Sequence, residues 1–363
     1  MSMPTRALRD EGDNSITASD RPLVAVLTPV YNGGKYLAET MACVQAQTYP
    51  NLVHVVLDNA STDATPEIIS RYLNSRVPVV TKRNSALLPQ RENYNATVAL
   101  APADARYLKI LAADDLMRPD AIARLVDVCE RNPNVTIASC LDCYNGTVRS
   151  IDLDPTRETH PGWEFAERAA LLRENLPPYH HIFWRRSAAP PGDIFTLPFH
   201  ADADAFQHLC RAGDVGFVFE PLVFTREHED TVSAQDVRLK LHFWNEFLLS
   251  MHEAERFDDE TNRRGVRRAL HRYLRFVMRS ALSGDLAGAR VAHARLGESG
   301  YAVGVWEYAA TLLGYPAYFV AKLRRLMRAK AAVRGRNFDV QAEWQTSAPG
   351  RSASNIFRTL GLR

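Results

Sequence analysis

Three short groups of polar residues have the types and spacing that ligand chemistry would need. They are Thr28-Pro29-Val30-Tyr31-Asn32, the run Asp58-Asn59-Ala60-Ser61-Thr62-Asp63, and Asp114-Asp115. Each directly follows, or ends, an apolar run that reads as a buried strand. Turn residues alone would explain one such group. Three at equivalent topological places favour one shared nucleotide crevice, because open parallel sheets bind ligands at the carboxyl ends of their strands. The adjacent carboxylates of Asp114-Asp115 suggest a divalent cation bridging diphosphate oxygens. They suit equally the N-cap of a helix entered at Pro119. Neither G-x-G-x-x-G nor G-x-x-x-x-G-K-[ST] occurs, so a phosphate ligand would need another source of positive charge.

The elements that must position these residues are legible as alternating apolar runs and helical spacings. Strands are predicted at Leu23 to Thr28, Leu52 to Leu57, Val77 to Thr81 and Tyr107 to Leu111. Helices are predicted at Tyr36 to Gln47, from Thr65-Pro66, at Gln90 to Leu100, and from Pro119 to Arg131. This alternation implies an α/β fold with a mostly parallel, Rossmann-like sheet flanked by helices. A mixed stretch follows, with strands at Val135 to Cys140 and Thr147 to Leu153, helices at Trp163 to Arg173 and Ala203 to Arg211, and short apolar runs at Val215 to Phe219 and Leu222 to Phe224. Beyond Gln235 every pattern is helical: Leu239 to Glu255, Arg264 to Leu282, Leu286 to Leu296 and Val303 to Arg334.

The chain has 363 residues, with 44 Lys+Arg against 42 Asp+Glu and 46% hydrophobic residues. Such a composition excludes a disordered or low-complexity chain and a uniformly basic nucleic-acid binder. The net charge of +2 hides an asymmetry, because Arg263 to Arg336 holds 16 Lys/Arg and 3 Asp/Glu, or +13, leaving −11 elsewhere. Five cysteines form no secreted disulfide pattern, and Cys140-x-x-Cys143 reads as a reduced, structural pair. The first 20 residues lack an apolar signal core and no stretch reads as membrane-spanning, so a cytoplasmic location is expected.

The run TPVYNGGKYLAETMACVQAQTYPNLVHVVLDNASTDAT, with its spacing to YLKILAADDLMRPDAI, resembles the signature of family 2 glycosyltransferases. The resemblance covers roughly residues 21–230. It implies a GT-A fold, a nucleotide-sugar donor (UDP-sugar being the favoured class) and inverting transfer to a hydroxyl. Residues 21–115 would form the nucleotide-binding half and 116–230 the acceptor half. Residues 1–20 and 337–363 would be tails around the domain and a basic helical region at 235–336.

By that resemblance Thr28, Pro29, Tyr31 and Asn32 border the nucleotide, and Asp58 accepts a hydrogen bond from the base. Arg83 in Lys82-Arg83-Asn84 stands at a basic position near the nucleotide, and Asn95 falls where the family often has Asn. The metal-binding D-x-D appears as Ala113-Asp114-Asp115, which makes Asp115 the expected ligand of Mn2+ or Mg2+ and directs Asp114 to the ribose or donor sugar. In PFHADADAFQHLC the usual acid pair reads Ala201-Asp202, so Asp202 is the expected catalytic base and Asp204 its competitor. Arg226-Glu227-His228 matches a late R-x-H whose histidine stands near the diphosphate, so His228 is a second expected metal ligand. The segment PPYHHIFWRR, 177–186, offers Tyr179, His180 and Trp184 as aromatic groups of the type that stack on sugars, with core packing an equal alternative for Phe183 and Trp184.

The implied product is a bacterial-type polysaccharide or glycoconjugate, made on a glycan or lipid-linked glycan acceptor. A catalytically silent nucleotide-sugar-binding scaffold is the alternative, because Ala113 and Ala201 replace expected acids. A nucleotidyltransferase would want a Gly/Arg/Lys-rich phosphate loop after the first strand, where this chain has Tyr31-Asn32-Gly33-Gly34-Lys35. The arginines at 264, 267, 268, 272, 275 and 279 make one helical face basic. That region would lie peripherally on an anionic membrane surface, pack as a lid on the acidic domain, or form a homodimer interface.

Overall fold

The computed structural model describes residues 21–144, 147, 148, 151, 153–170, 181–198, 200–226, 228, 229, 231, 241–255, 257–301, 303–314, 316, 320, 324 and 327. Tyr179 and His180, both tails, and most of the basic run after Lys322 lie outside the described residues.

Four strands of the first half run parallel: β1 (Val24–Val30), β2 (Leu52–Asp58), β3 (Val79–Arg83) and β4 (Tyr107–Ile110). Every residue of β1, β2 and β4 is buried, which is why they read as unbroken apolar runs rather than alternating ones. Helices α1 (Leu37–Gln45), α2 (Thr65–Ser70) and α3 (Gln90–Ala99) make the crossovers. After β5 (Leu116–Met117), helix α4 (Ala121–Arg131) leads to β6 (Val135–Tyr144). The second half adds β7 (Thr147–Val148), β8 (Thr159–His160), α5 (Gly162–Ala170), β9 (Phe183–Arg185), α6 (Ala201–Ala212) and β10 (Asp214–Thr225).

The sheet order is β3-β2-β1-β4-β9-β6-β10-β5, with β7 on β6 and β8 on β10. The sheet is mixed: β9 pairs antiparallel with both β4 and β6, and β5 pairs antiparallel with β10. Strand β9 comes from the segment expected near an acceptor. Phe183 and Trp184 are fully buried there, opposite Lys109 and Leu108, so Trp184 is a core residue rather than a sugar platform. Strand β10 unites the two short runs read separately, and register shifts around Pro221 explain the break between them.

Hydrophobic clusters cover both sheet faces, one under α1 and α4, the other under α3, α5 and α6. All five cysteines are buried free thiols. Helices α7 (His242–Ala254), α8 (Asp259–Leu282), α9 (Leu286–Glu298) and α10 (Val305–Leu313) follow. They have their own core around Phe247, Tyr273, Leu274 and Leu296. Asp258 caps α8 by accepting from the N–H groups of Glu260 and Thr261. The helical unit docks on the sheet domain where α7 packs against α5 and His252 stands 3.7 Å from Asp204.

Candidate active site

The loops after β1 and β2 are stitched together. The Asn32 N–H donates to Ser61 Oγ at 2.9 Å, and Asn32 Oδ1 accepts from the Thr62 N–H at 2.8 Å. Gly33 N–H donates to Thr65 Oγ1 and Gly34 N–H to Asp63 Oδ2. Asn32 holds a φ of 50°, a left-handed conformation that Asn tolerates well. A Cβ on Gly33 would meet Val30 Cγ2 at 2.6 Å, so only glycine lets the turn fold back on β1. Burial raises the Asp63 carboxyl, but hydrogen bonds from Thr65 and from the Gly34 N–H outweigh it and hold the group below the usual range. Tyr31 stands 48% exposed at the rim, whereas Pro29 is buried within β1. Thr28 is also fully buried, and its hydroxyl meets His54 Nε2 at 2.9 Å.

Asp58 ends β2 with its side chain enclosed. Oδ1 accepts from the Ser61 N–H at 2.9 Å. Oδ2 lies 3.4 Å from Arg83 Nε and has no hydrogen-bond partner. Arg83 is half exposed and also donates to the Ser61 carbonyl. One oxygen thus fixes the loop, while the other is an acceptor with capacity to spare.

After β4, Thr40 Oγ1 reaches the carbonyls of Ala113 and Asp115, tying the acid pair to α1. Asp115 is buried and Asp114 is partly exposed. Asp115 Oδ1 accepts from the Arg226 N–H at 3.0 Å, and His228 Nε2 lies 2.9 Å from Asp114 Oδ2. The structure therefore brings His228 to the first acid of the pair and Arg226 to the second. Burial, then the neighbouring charge of Asp114, raises the Asp115 carboxyl well above the usual range.

The arm carrying Arg226 and His228 rests on α1. The Arg226 guanidinium lies 4.2 Å over the Tyr36 ring and donates to Glu39 Oε2 at 2.7 Å, while the His228 and Tyr36 rings are 4.8 Å apart. Neither Tyr36 nor Glu39 stands out in the sequence as a site residue. Behind Asp115, His181 Nε2 lies 3.7 Å from Asp115 Oδ2 and 2.8 Å from Thr225 Oγ1, which donates to Asp142 Oδ1. Lys109 is fully buried nearby, and burial pushes its ammonium down to about 8. A lysine in YLKIL and an aspartate in VTIASCLDCY, each inside an otherwise apolar run, are sequence signals of this polar layer, and His181 comes from PPYHHIFWRR.

Helix α6 supplies the two competing acids. Asp204 is fully buried; it accepts from Thr196 Oγ1, and its Oδ1 lies 3.5 Å from His208 and 3.7 Å from His252. Asp202, in the same first turn, is partly exposed. The Tyr94 phenol is raised by burial and then by the charges of Asp202, Asp114 and Asp115. Asn95 works differently. Its amide nitrogen donates to the Phe195 carbonyl at 2.8 Å, and its oxygen accepts from the Phe195 N–H at 3.1 Å. Both ends of that amide are used to dock the segment leading into α6, so Asn95 positions a loop rather than offering itself to a ligand.

Among the described residues no three His, Cys, Asp or Glu side chains converge to hold a metal ion. The donor set still suits a magnesium or manganese ion of the kind bound by one or two carboxylates plus substrate phosphates. Asp115 is a buried carboxylate beside a second one, and a cation would relieve that repulsion.

Residues 25–189 match the family model Glycosyl transferase family 2. The chain is 32% identical over 120 residues to glycosyltransferase GlyG of Streptococcus pneumoniae, covering 32% of this chain and 38% of GlyG. It is 30% identical over 144 residues to abequosyltransferase RfbV of Salmonella typhimurium, covering 39% of this chain and 41% of that protein. The chain thus spans about two fifths of the length of these curated relatives. The crystal structure of S. aureus TarS 1-349 superposes with a TM-score of 0.52 at 15% identity, covering 70% of this chain and 72% of that one, a likeness of fold. Residues 25–189 thus form a glycosyltransferase family 2 region, on a sheet of the GT-A fold.

Proposed function

We propose that this chain transfers a sugar from a nucleotide-diphosphate sugar, a UDP-sugar by preference, to a hydroxyl of a glycan or lipid-linked glycan, with inversion. The observation that carries this reading is the acid pair Asp114-Asp115 after β4, held by Arg226 and His228 and tied through Thr40 to α1, with the stitched loops after β1 and β2 at the same end of the sheet.

In this reading the stitched loops after β1 and β2 form the floor under the nucleoside. Thr28 and Pro29 shape it from within β1, Tyr31 and Asn32 edge it, and Asp58 Oδ2 accepts the imide N–H of uracil. Arg83 balances Asp58 and faces the nucleotide. Asp115 and His228, with Asp114 between them and the donor sugar, would hold Mn2+ or Mg2+, which when bound supplies charge neutralisation at the diphosphate. Asp202 takes the proton of the acceptor hydroxyl as that oxygen bonds to the anomeric carbon, and the bond from that carbon to the diphosphate oxygen breaks on the opposite face. Tyr94, its phenol raised by burial, stays protonated and packs edge-on against Phe195.

The same reading puts the enzyme on the cytoplasmic face of a membrane, making a surface polysaccharide or glycoconjugate. Thermal shifts with a panel of nucleotide sugars and manganese test the donor assignment. A ligand at 100 times its dissociation constant stabilises the fold by about 2.7 kcal/mol. A shift with UDP-sugars and none with other nucleotide sugars is expected. No shift with any nucleotide sugar contradicts the reading.

A further inference from the structure

The basic helix α8 turns its apolar side inward. Ala269, Tyr273, Leu274 and Val277 are buried in the helical core, while Arg263, Arg264, Arg267 and Arg268 are exposed. Helix α10 does the reverse. Its polar side faces the bundle, where Thr311 Oγ1 meets His271 Nδ1 at 2.5 Å and the Tyr308 hydroxyl meets His293 Nδ1 at 2.9 Å. Its outer side carries Val305, Trp306 and Leu313, all more than 80% exposed, with Leu312 beside them.

Helical conformation recurs at Pro316, Val320, Arg324 and Met327, and Val320 and Met327 are exposed as well. Within α10 the steps from 305 and 306 to 312 and 313 are seven residues. Side chains at that spacing share one helical face. Such an exposed apolar stripe is unusual on a protein surface and marks an interaction site.

We infer that this stripe docks on an anionic lipid surface. Charge selects that occupant. The stripe leads into Lys322 to Arg336, which holds seven Lys/Arg and no Asp/Glu. A second copy of the chain packed stripe to stripe would set that run against its own counterpart, and like charges there oppose association. Anionic headgroups neutralise the charge of the run, and the apolar residues, Trp306 among them, enter the membrane interface. No helix among the described residues is long and apolar enough to cross the membrane. This inference rests on the membrane location proposed above and moves the contact from α8 to α10.

Flotation of the full chain with vesicles tests it. Vesicles of equal parts phosphatidylglycerol and phosphatidylcholine should carry about tenfold more protein than phosphatidylcholine alone at low salt. Trp306→Glu and Leu313→Glu should each abolish flotation without changing the melting temperature, since both side chains lie outside the core. Flotation of either variant at the wild-type level overturns the inference, as does equal binding to both vesicle types. A concentration-dependent dimer that these substitutions break, with no vesicle binding, also overturns it. Donor hydrolysis measured on the same samples separates this outcome from the sugar-transfer reading, because vesicle binding needs no turnover.

Discussion

His228 Nε2 lies 2.9 Å from Asp114 Oδ2, across 114 residues of chain. This contact closes the arm after β10 onto the acid pair after β4, and Tyr36 backs it from α1. If His228 serves a cation at the diphosphate, His228→Ala should raise the manganese concentration for half-maximal donor hydrolysis by about 10- to 100-fold. An unchanged manganese requirement would remove His228 from the cation's surroundings.

Asp58 tests the nucleotide half. Asp58→Asn keeps the size and the bond to the Ser61 N–H but weakens the acceptor and leaves Arg83 without its carboxylate. Hydrogen bonds to charged groups contribute about 1.5–3 kcal/mol, so UDP affinity should fall roughly 10- to 100-fold. Calorimetric titration with UDP measures this, and wild-type affinity would contradict the contact.

His54 gives a pH signature of folding. Burial lowers its pKa from 6.5 to about 3 in the folded state. Between those values the unfolded chain binds one proton more, so stability is fully present above pH 6.5 and is lost as pH falls toward 3. The slope is about 1.4 kcal/mol per pH unit for one such group. His160 and His271 are lowered by burial as well and act in the same direction. His54→Gln keeps a partner for Thr28 and should flatten the denaturation midpoint against pH by one proton's share. An unchanged slope would count against a neutral His54.

The two acids of α6 should separate by phenotype. Asp204→Ala removes a buried acceptor from Thr196 and the negative charge beside His208 and His252. It should lower stability by about 1–3 kcal/mol in urea titration. Asp202→Ala, at a partly exposed position, should leave the urea midpoint within about 0.5 kcal/mol of wild type. The reverse pattern would exchange their roles.

The strands bearing Thr28, Asp58 and Asp114-Asp115 were legible because burial on both faces leaves continuous apolar runs. Their polar ends then mark the crevice. Strand β9 was not legible, because three residues inside PPYHHIFWRR carry no periodicity and its pairing with Lys109 and Ile137 spans long stretches of chain. For the same reason the docking of Asn95 on Phe195, 100 residues away, could not be read from a helical asparagine. The basic face of α8 was visible in its arginine spacing. The outward apolar stripe of α10 was not, since spacing shows that a helix has two faces and only packing shows which one is covered.

Turnover of Asp202→Asn decides whether Asp202 is the base at a metal-assisted donor site. UDP release from a UDP-sugar is followed in the presence of manganese and an acceptor. The variant should bind donor as wild type does and turn over about 100-fold more slowly. Wild-type-like turnover in Asp202→Asn would show that the base lies elsewhere.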